Sequence, residues 1–342
     1  MQPPIRADRR DRGMHAAFSF SRKPRAPVRN SKPRLMAAVL FALVALATSS
    51  PPAIASEYGV STYRPGLSDL FAGYLIAPGG TLTKTMFLFQ DARENVTTQD
   101  GRFSVSTHTL SYTLALFAVH ATRFSLLGTH WAFGTIVQVR LADQRLHAGP
   151  RGLPSPQQSS TVAGLGDLIV LPLILNWNFG QFHLVGAFAF YAPTGSYDAD
   201  RIISIGDNRW AIEPDIGMTW MDEKTGREAS LFAGYTVNTE NTATHYLSGQ
   251  EFHADFILAQ HLADQRIIGI AGYALQQTTP DSGRGAVLGP FKGRVLGLGP
   301  LVAQAFQLDE HSINLSFKYI FEFAAQNRST GDELWLTAAF RF

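Results

Sequence analysis

The chain has 342 residues, 45% hydrophobic and 16% charged, with a net charge of +2 and no cysteine, which excludes a disulfide framework and a thiolate metal centre. The positive balance sits at one end. Residues 1–34 hold ten Lys or Arg against two Asp, so the chain from residue 56 onward carries about −6, and a basic nucleic-acid-binding surface on the folded part is excluded.

The basic leader runs into MAAVLFALVALA, an uncharged run from Met36 to Ala47. It is too short to span a bilayer as a helix, which takes about 20 residues. It has the length of a signal-peptide core, and Ala53-Ile54-Ala55 before Ser56 is a small-residue cleavage site. Residues 1–55 are therefore expected to be a signal peptide with a long basic n-region, initiation at an internal Met such as Met14 being compatible. Residues 56–80, including SDLFAGYLIAPGG, have no clear period. They are expected as an N-terminal lead-in, a plug segment or part of a first strand.

From residue 81 to 342 no stretch keeps helical periodicity beyond a turn or two, and Gly, Asn, Asp and Ser clusters separate alternating segments. Twelve strands are expected, near 82–91, 103–117, 130–142, 166–178, 181–192, 209–221, 228–238, 250–262, 265–278, 291–305, 312–324 and 333–342. Links after the odd-numbered ones are mostly long and polar. Those after the fourth, sixth, eighth and tenth are tight, as at Phe179-Gly180-Gln181 and Asp222 to Gly226, and only the link after the second is long on the wrong side. An even strand number with short turns on the side of both ends is the outer-membrane arrangement, with both termini facing the periplasm. Pro172 and Pro214 each remove a ladder hydrogen bond and predict bulges or irregular pairing.

Face assignments follow from the period of two. Segment 209–221 turns Trp210, Ile212, Ile216, Met218 and Trp220 outward and Glu213 and Asp215 inward; 250–262 sets Phe252, Ala254, Phe256 and Leu258 against Glu251, His253 and Asp255. Lys292 and Arg294, then Lys318 and Glu322, join the inner face in later strands. Charges facing lipid are costly, so these residues are assigned to a polar lumen of mixed sign. Segments 166–178 and 181–192 are apolar on both faces, as an apolar wall or the seat of a folded-in loop would be. Toward the end, Ile313, Leu315, Phe317, Tyr319, Phe321 and Phe323 share one face, and the final hairpin strand closes on Phe342. A bilayer supplies the wide apolar partner such a face needs, and outer-membrane barrels commonly end on Phe. The expected fold is all-β, a transmembrane antiparallel up-and-down β-barrel of about 12 strands over residues 81–342, with a soluble sandwich or lipocalin-like barrel as the weaker alternative.

The chemistry-bearing residues favour bland roles. Gly164-Leu165-Gly166 lacks the third glycine and the following helix of a dinucleotide loop, and reads as a turn entering a strand. Glu251, His253 and Asp255 share a face but have no second His nearby, which favours a lumen hydrogen-bond cluster over a metal site. Ser230 and Ser248 lie near His245 and His253 without a nucleophile motif, so no catalytic residue is expected. Asn238, Glu240 and Asn241 fall where a strand meets its outer loop, either capping turns or forming a mouth that hydrogen-bonds an entering solute.

Six motifs, GLGDLIVLPLILNW (164–177), APTGSYD (192–198), GDNRWAIEP (206–214), NTENTATHYLSGQEFHADF (238–256), GYALQQTTPDSG (272–283) and LGPFKGRVLGLGP (288–300), resemble the outer-membrane proteins assigned to the meta-pathway of phenol degradation. The resemblance is strong over about 160–342 and weak over 82–143. It implies a channel or transporter in the bacterial outer membrane for small hydrophobic or aromatic compounds; from the residues themselves no enzyme activity, cofactor or metal is expected. The implied partners are the lipid bilayer, the barrel-assembly machinery and a small apolar or aromatic solute. The expected lumen pathway comprises Glu213, Asp215, Asn238, Glu240, Asn241, His253, Asp255, Lys292, Arg294, Lys318 and Glu322. A structural or porin-like barrel, or less readily an outer-membrane hydrolase, are the alternatives.

Overall fold

The computed structural model describes residue 57 and residues 61–97, 101–153, 156–308 and 311–342. The expected signal peptide, its cleavage site and Met14 lie outside the described residues.

Among the described residues, thirteen strands form one sheet. In chain order they are β1 (Thr81–Thr97), β2 (Phe103–Leu126), β3 (Thr129–Pro150), β4 (Gln157–Leu165), β5 (Leu168–Phe179), β6 (Phe182–Ala192) and β7 (Ala211–Asp222). They continue as β8 (Arg227–Asn238), β9 (Glu251–His261), β10 (Arg266–Gln277), β11 (Arg294–Leu308), β12 (His311–Gln326) and β13 (Thr330–Arg341). Each strand pairs antiparallel with its neighbours, β1 pairs with β13 and β2 with β3, so the sheet closes. β4 and β5 both lie against β3, β4 on residues 139–147 and β5 on residues 132–136, and together count as one wall strand interrupted at Gly166-Asp167. The result is a closed antiparallel barrel of 12 wall strands. Closure joins the two ends of the sheet: Thr81 and Phe342 exchange backbone hydrogen bonds of 3.0 and 2.9 Å.

The outer surface explains where such a barrel lives. Leu116, Val139, Ile216, Ile270, Val302, Leu315 and Leu336 alternate along their strands with buried neighbours and stand open on the outside. Aromatics gather at both rims, Phe179 and Phe182 beside the tight Gly180-Gln181 turn and Trp210, Tyr235 and Phe252 toward the opposite end. A wide apolar band between aromatic girdles, with a polar interior, is the surface of an outer-membrane barrel, and the protein is one. The tight turns mark the periplasmic rim and the long loops the outer face.

Two connections differ from the sequence expectation. The supposedly long link after the second strand is the two-residue turn Leu127-Gly128, because β2 and β3 run on to it; both residues take positive φ, 51° and 77°. In the other direction β1, β2 and β3 reach 17, 24 and 22 residues, beyond the 9–11 or so that cross a bilayer, so this part of the wall stands above the membrane. β4 is the paired edge of that extension and escaped the sequence reading. Pro172 does sit at a register shift on both sides of β5, whereas Pro214 faces outward with the β7 register intact. Its missing N–H simply leaves a gap in the ladder to β8.

The segment between residues 61 and 80 lies inside the barrel. Its first residues meet the outer ends of β8 and β12, and its last meet the periplasmic rim before β1 begins. Glu57 sits among the outer-loop residues Asn241 and Thr244, so the described chain before β1 runs from the outer mouth to the periplasmic rim, and Glu57 is not on the periplasmic side expected for this end.

Leu336, midway along β13 and paired to Phe317, faces lipid. Leu336→Arg is expected to cost about 2–4 kcal/mol, measured by reversible folding into lipid bilayers. A cost below about 1 kcal/mol would put this position away from the bilayer midplane.

Candidate functional site

The lumen is organised by ties between the inner wall and residues 61–80. Alternation points Glu228, Glu251, His253 and Asp255 inward on adjacent strands, and the luminal backbone supplies donors for Glu228 and Asp255. Asp255 Oδ2 accepts the Tyr63 hydroxyl (2.7 Å) and the Gly66 and Ser68 amides (3.0 and 3.1 Å). From β12 the Lys318 ammonium donates to the Gly66 and Ser68 carbonyls at 2.8 and 2.6 Å, 5.4 Å above the Trp335 ring. One short turn is thus gripped at its amides by an anion and at its carbonyls by a cation. Such charge-assisted bonds are worth about 1.5–3 kcal/mol each. Further down, Ser316 donates to Asp69 (2.7 Å), Glu228 accepts the Phe71 amide (2.7 Å), and Thr219 and Asn176 hold Gly73 N and O. The contact there is backbone to backbone. A Cβ on Gly217 would collide with the Ala72 carbonyl, and one on Gly73 with the His183 carbonyl.

At the outer mouth the segment is tied again. Thr62 donates to Asn238 (2.8 Å) and accepts from Arg209 (2.9 Å), while Arg328 donates to Ser61 (2.7 Å). Asn241 donates to Glu57 (2.9 Å) and its own carbonyl oxygen accepts Asn208 (2.8 Å) and the Ala243 amide (3.1 Å). Asn241 therefore caps its turn and faces the mouth at once. In these outer loops burial raises the Glu57 carboxyl above its ordinary range, and burial together with Asp281 raises the Tyr246 phenol. The loop between β6 and β7 folds inward because Asp167, at the break between β4 and β5, accepts the Gly195 and Asp207 amides at 2.7 and 2.8 Å. Gly195 and Gly206 touch there, and any Cβ on either would clash. Ile203 and Ile205 of this loop pack on Ala142 and Val162. The GLGD, APTGSYD and GDNRW motifs thus meet in one knot over the mouth.

Because the ties come mainly from β7 to β9 and β12, the opposite half of the lumen stays open. Three adjoining cavities follow it from outside to periplasm. The outer one is lined by Thr62, Arg64, Gln138, Arg140, Asp167, Asp207 and Trp335. The middle one, about 170 Å³, is lined largely by Phe117, Val119, Leu171, Ile174, Val185, Ala187 and Ala189 of the wall and Leu75 of the segment. They share Leu67, Met86, Ile136, Ile169 and Tyr191 as a common wall. The periplasmic cavity, about 360 Å³, shares Asp69, Phe71, Tyr74, Leu75, Leu82 and Lys84 with the middle one and ends at Arg341 and Phe342. An apolar cavity of about 150 Å³ holds one benzene ring, so the middle cavity is the size of a single aromatic solute.

The wall turns Glu213, Asp215, His253, Asp255, Lys318 and Glu322 to its inner side, and Asn238 and Asn241 lie at the outer mouth, one ending β8 and the other in the loop that follows. Glu322 accepts the Tyr273 hydroxyl and the Gly331 amide, both at 2.8 Å. Arg294 opens β11, half-buried. Two assignments need correcting. Lys292 precedes β11 and lies exposed, donating to the Thr278 carbonyl of the outer loop (2.7 Å), because the strand begins later than its apolar pattern suggested. Glu240 lies exposed on the loop beside His245 (3.0 Å) rather than at the pore. The hydrogen-bond cluster expected of Glu251, His253 and Asp255 centres on Asp255; both ring nitrogens of His253 lack a hydrogen-bond partner. The luminal residues Tyr63, Gly66, Ser68 and Phe71 carried no periodic signal. The apolar double face of β5 and β6 was legible as such, and its inward residues line the cavity.

This is the site of an outer-membrane β-barrel that carries a segment of its own chain through the lumen, tied to one side and leaving an apolar path on the other. The chain belongs to the family described as "Putative MetA-pathway of phenol degradation", whose profile matches residues 93–338. Among solved structures it is similar in fold to the COG4313 outer membrane channel from Pseudomonas putida F1, 14% identical with a TM-score of 0.58, over 80% of this chain and 100% of that one. Weaker likenesses are the AIDA-I autotransporter transport unit from Escherichia coli (10% identity, TM-score 0.40, 81% and 93% covered) and the Bordetella BrkA autotransporter β domain (14%, 0.37, 78% and 99%). No curated protein sequence matches.

Replacing both grips on the luminal turn, Asp255→Ala with Lys318→Met, should raise single-channel conductance in planar bilayers while heat-modifiable gel migration stays that of a folded barrel. Unchanged conductance would mean the segment is not the barrier to flow.

Proposed function

We propose that the protein is an outer-membrane channel for uptake of small hydrophobic or aromatic compounds, acting without covalent chemistry. The observation that carries this reading is the apolar cavity between β1–β3, β5 and β6 and the luminal segment, in line with a more polar outer cavity and a periplasmic one. A single ring fits the middle cavity, and burial of apolar solute surface there is favourable by about 25 cal/mol per Å². The COG4313 protein's designation as an outer membrane channel and the family's link to phenol degradation agree with it. In this reading residues 1–55 serve for export, residues 56–80 narrow the lumen, and the barrel-assembly machinery inserts the wall. The lumen residues Asn238, Asn241, Asp255 and Lys318 hold the narrowing segment, while Arg64, Arg140 and Asp207 face the entering solute. A porin-like role with Lys318 at a constriction is disfavoured by its engagement with two backbone carbonyls.

Filling the cavity tests the reading directly. Ala187→Trp and Ala189→Trp should slow uptake of a labelled monoaromatic compound into intact cells, and Val237→Trp, on the lipid face, should leave it unchanged. Loss of the gene should slow growth on a scarce aromatic carbon source but not on succinate. Equal transport across all of these strains would defeat the proposal.

A further inference from the structure

One cluster makes none of the hydrogen bonds that tie the segment, although Glu213 and Asp215 border the middle cavity. On the inner face, Asp215 of β7, Gly234 of β8 and His253 of β9 stand directly opposite one another across two ladders. Glu213 is the next inward residue on β7. The Asp215, Glu213 and His253 side chains each bring one ligand-type atom within 4.8 Å of the others, and all three are buried. His253 is wholly buried, yet neither ring nitrogen makes a hydrogen bond; Nε2 lies 3.5 Å from Glu213 Oε1, too long for one. Asp215 Oδ1 is likewise without a donor. Both orphaned atoms aim at the same spot, since a Cβ on Gly234 would collide with Asp215 Oδ1 and with His253 Nε2. Gly234 is not there for a special backbone angle, because its φ is ordinary for a strand. It leaves space.

We propose that Glu213, Asp215 and His253 form a site for one divalent transition-metal cation of the zinc or cobalt class, seated over Gly234. One imidazole and two carboxylates suit such an ion, which takes nitrogen and oxygen ligands at about 2.0–2.2 Å. A buried polar atom with no partner is costly, and a cation over Gly234 would give the orphaned His253 and Asp215 atoms a common partner. Glu213 is already oriented from outside the site: Tyr191 donates to Oε1 (2.8 Å) and Thr236 to Oε2. Hydrogen bonds of this kind commonly fix metal-ligating carboxylates. The Tyr63 ring stacks on the imidazole, centroids 3.5 Å apart and planes 7° off parallel, so the ion also steadies the wall under the luminal segment.

The test uses the full-length protein, refolded in detergent after chelator treatment and then with Co²⁺. The expected result is one Co²⁺ per chain by calorimetry, with visible d–d bands of a nitrogen-oxygen site. Asp215→Asn and His253→Ala should each weaken binding by more than about 100-fold, beyond the 10–100-fold typical of losing an outer hydrogen-bond partner. Gly234→Ala keeps every ligand but fills the space, and should weaken it too. Heat-modifiable migration of each variant separates loss of the site from loss of the fold. Where a variant fails that check, the d–d spectrum of the unmodified protein decides alone. No stoichiometric binding by that protein, or binding that persists in folded Gly234→Ala and His253→Ala, would overturn the proposal.

Discussion

The grip of Asp255 and Lys318 on the turn at Gly66 to Ser68 is the contact on which the rest of the lumen depends. A barrel of 12 wall strands is wider than the eight-stranded kind that its own side chains fill, and narrower than the sixteen-stranded kind that leaves an open aqueous channel. Something other than the wall's side chains can occupy part of it. Here a segment of the same chain does, and its backbone needs partners for its N–H and C=O groups inside the barrel. The inner wall provides them from Asp255 and Lys318 down to Glu228, Thr219 and Asn176 near the periplasmic rim, while Asn238 and Arg328 hold side chains of the segment at the outer mouth.

That ladder divides the lumen by chemistry. Polar groups concentrate on β7 to β9 and β12, where the segment is held. The facing strands β2, β3, β5 and β6 turn Phe117, Ile136, Ile174, Val185 and Ala189 inward, residues that offer the segment nothing to bond. A path therefore forms where the ties are missing. Its apolar character is a consequence of the same asymmetry, since a polar wall there would have drawn the segment across and closed it.

The outer mouth shows how a few small residues set a large loop. Asp167 sits at the one place where the wall strand breaks, and its carboxylate gathers the amides of Gly195 and Asp207. Only glycines at 195 and 206 let the two backbones meet. The motifs that tie this chain to its family are thus mostly the parts of this knot and of the strand ends around it.

The sequence by itself determined the class of fold and the facing of its strands. A side-chain period of two, read from Ile212 to Met218 or Leu315 to Phe323, fixes which residues meet lipid once one face is apolar, and no long-range information is needed. The tight turns and the strand count were legible for the same local reason. What only the tertiary structure decided is everything that depends on which strands lie side by side. Residues 61–80 have no period because irregular backbone is satisfied by distant side chains; nothing nearby in sequence announces Asp255 or Lys318. Lys292 falls outside the wall because β10 and β11 set where β11 begins. His253 shares a face with Glu251 and Asp255 on its own strand, but its close neighbours are Glu213 and Asp215, brought beside it by the register of β7, β8 and β9. Register across a closed barrel is fixed by all of its ladders at once, and that is a property no single segment carries.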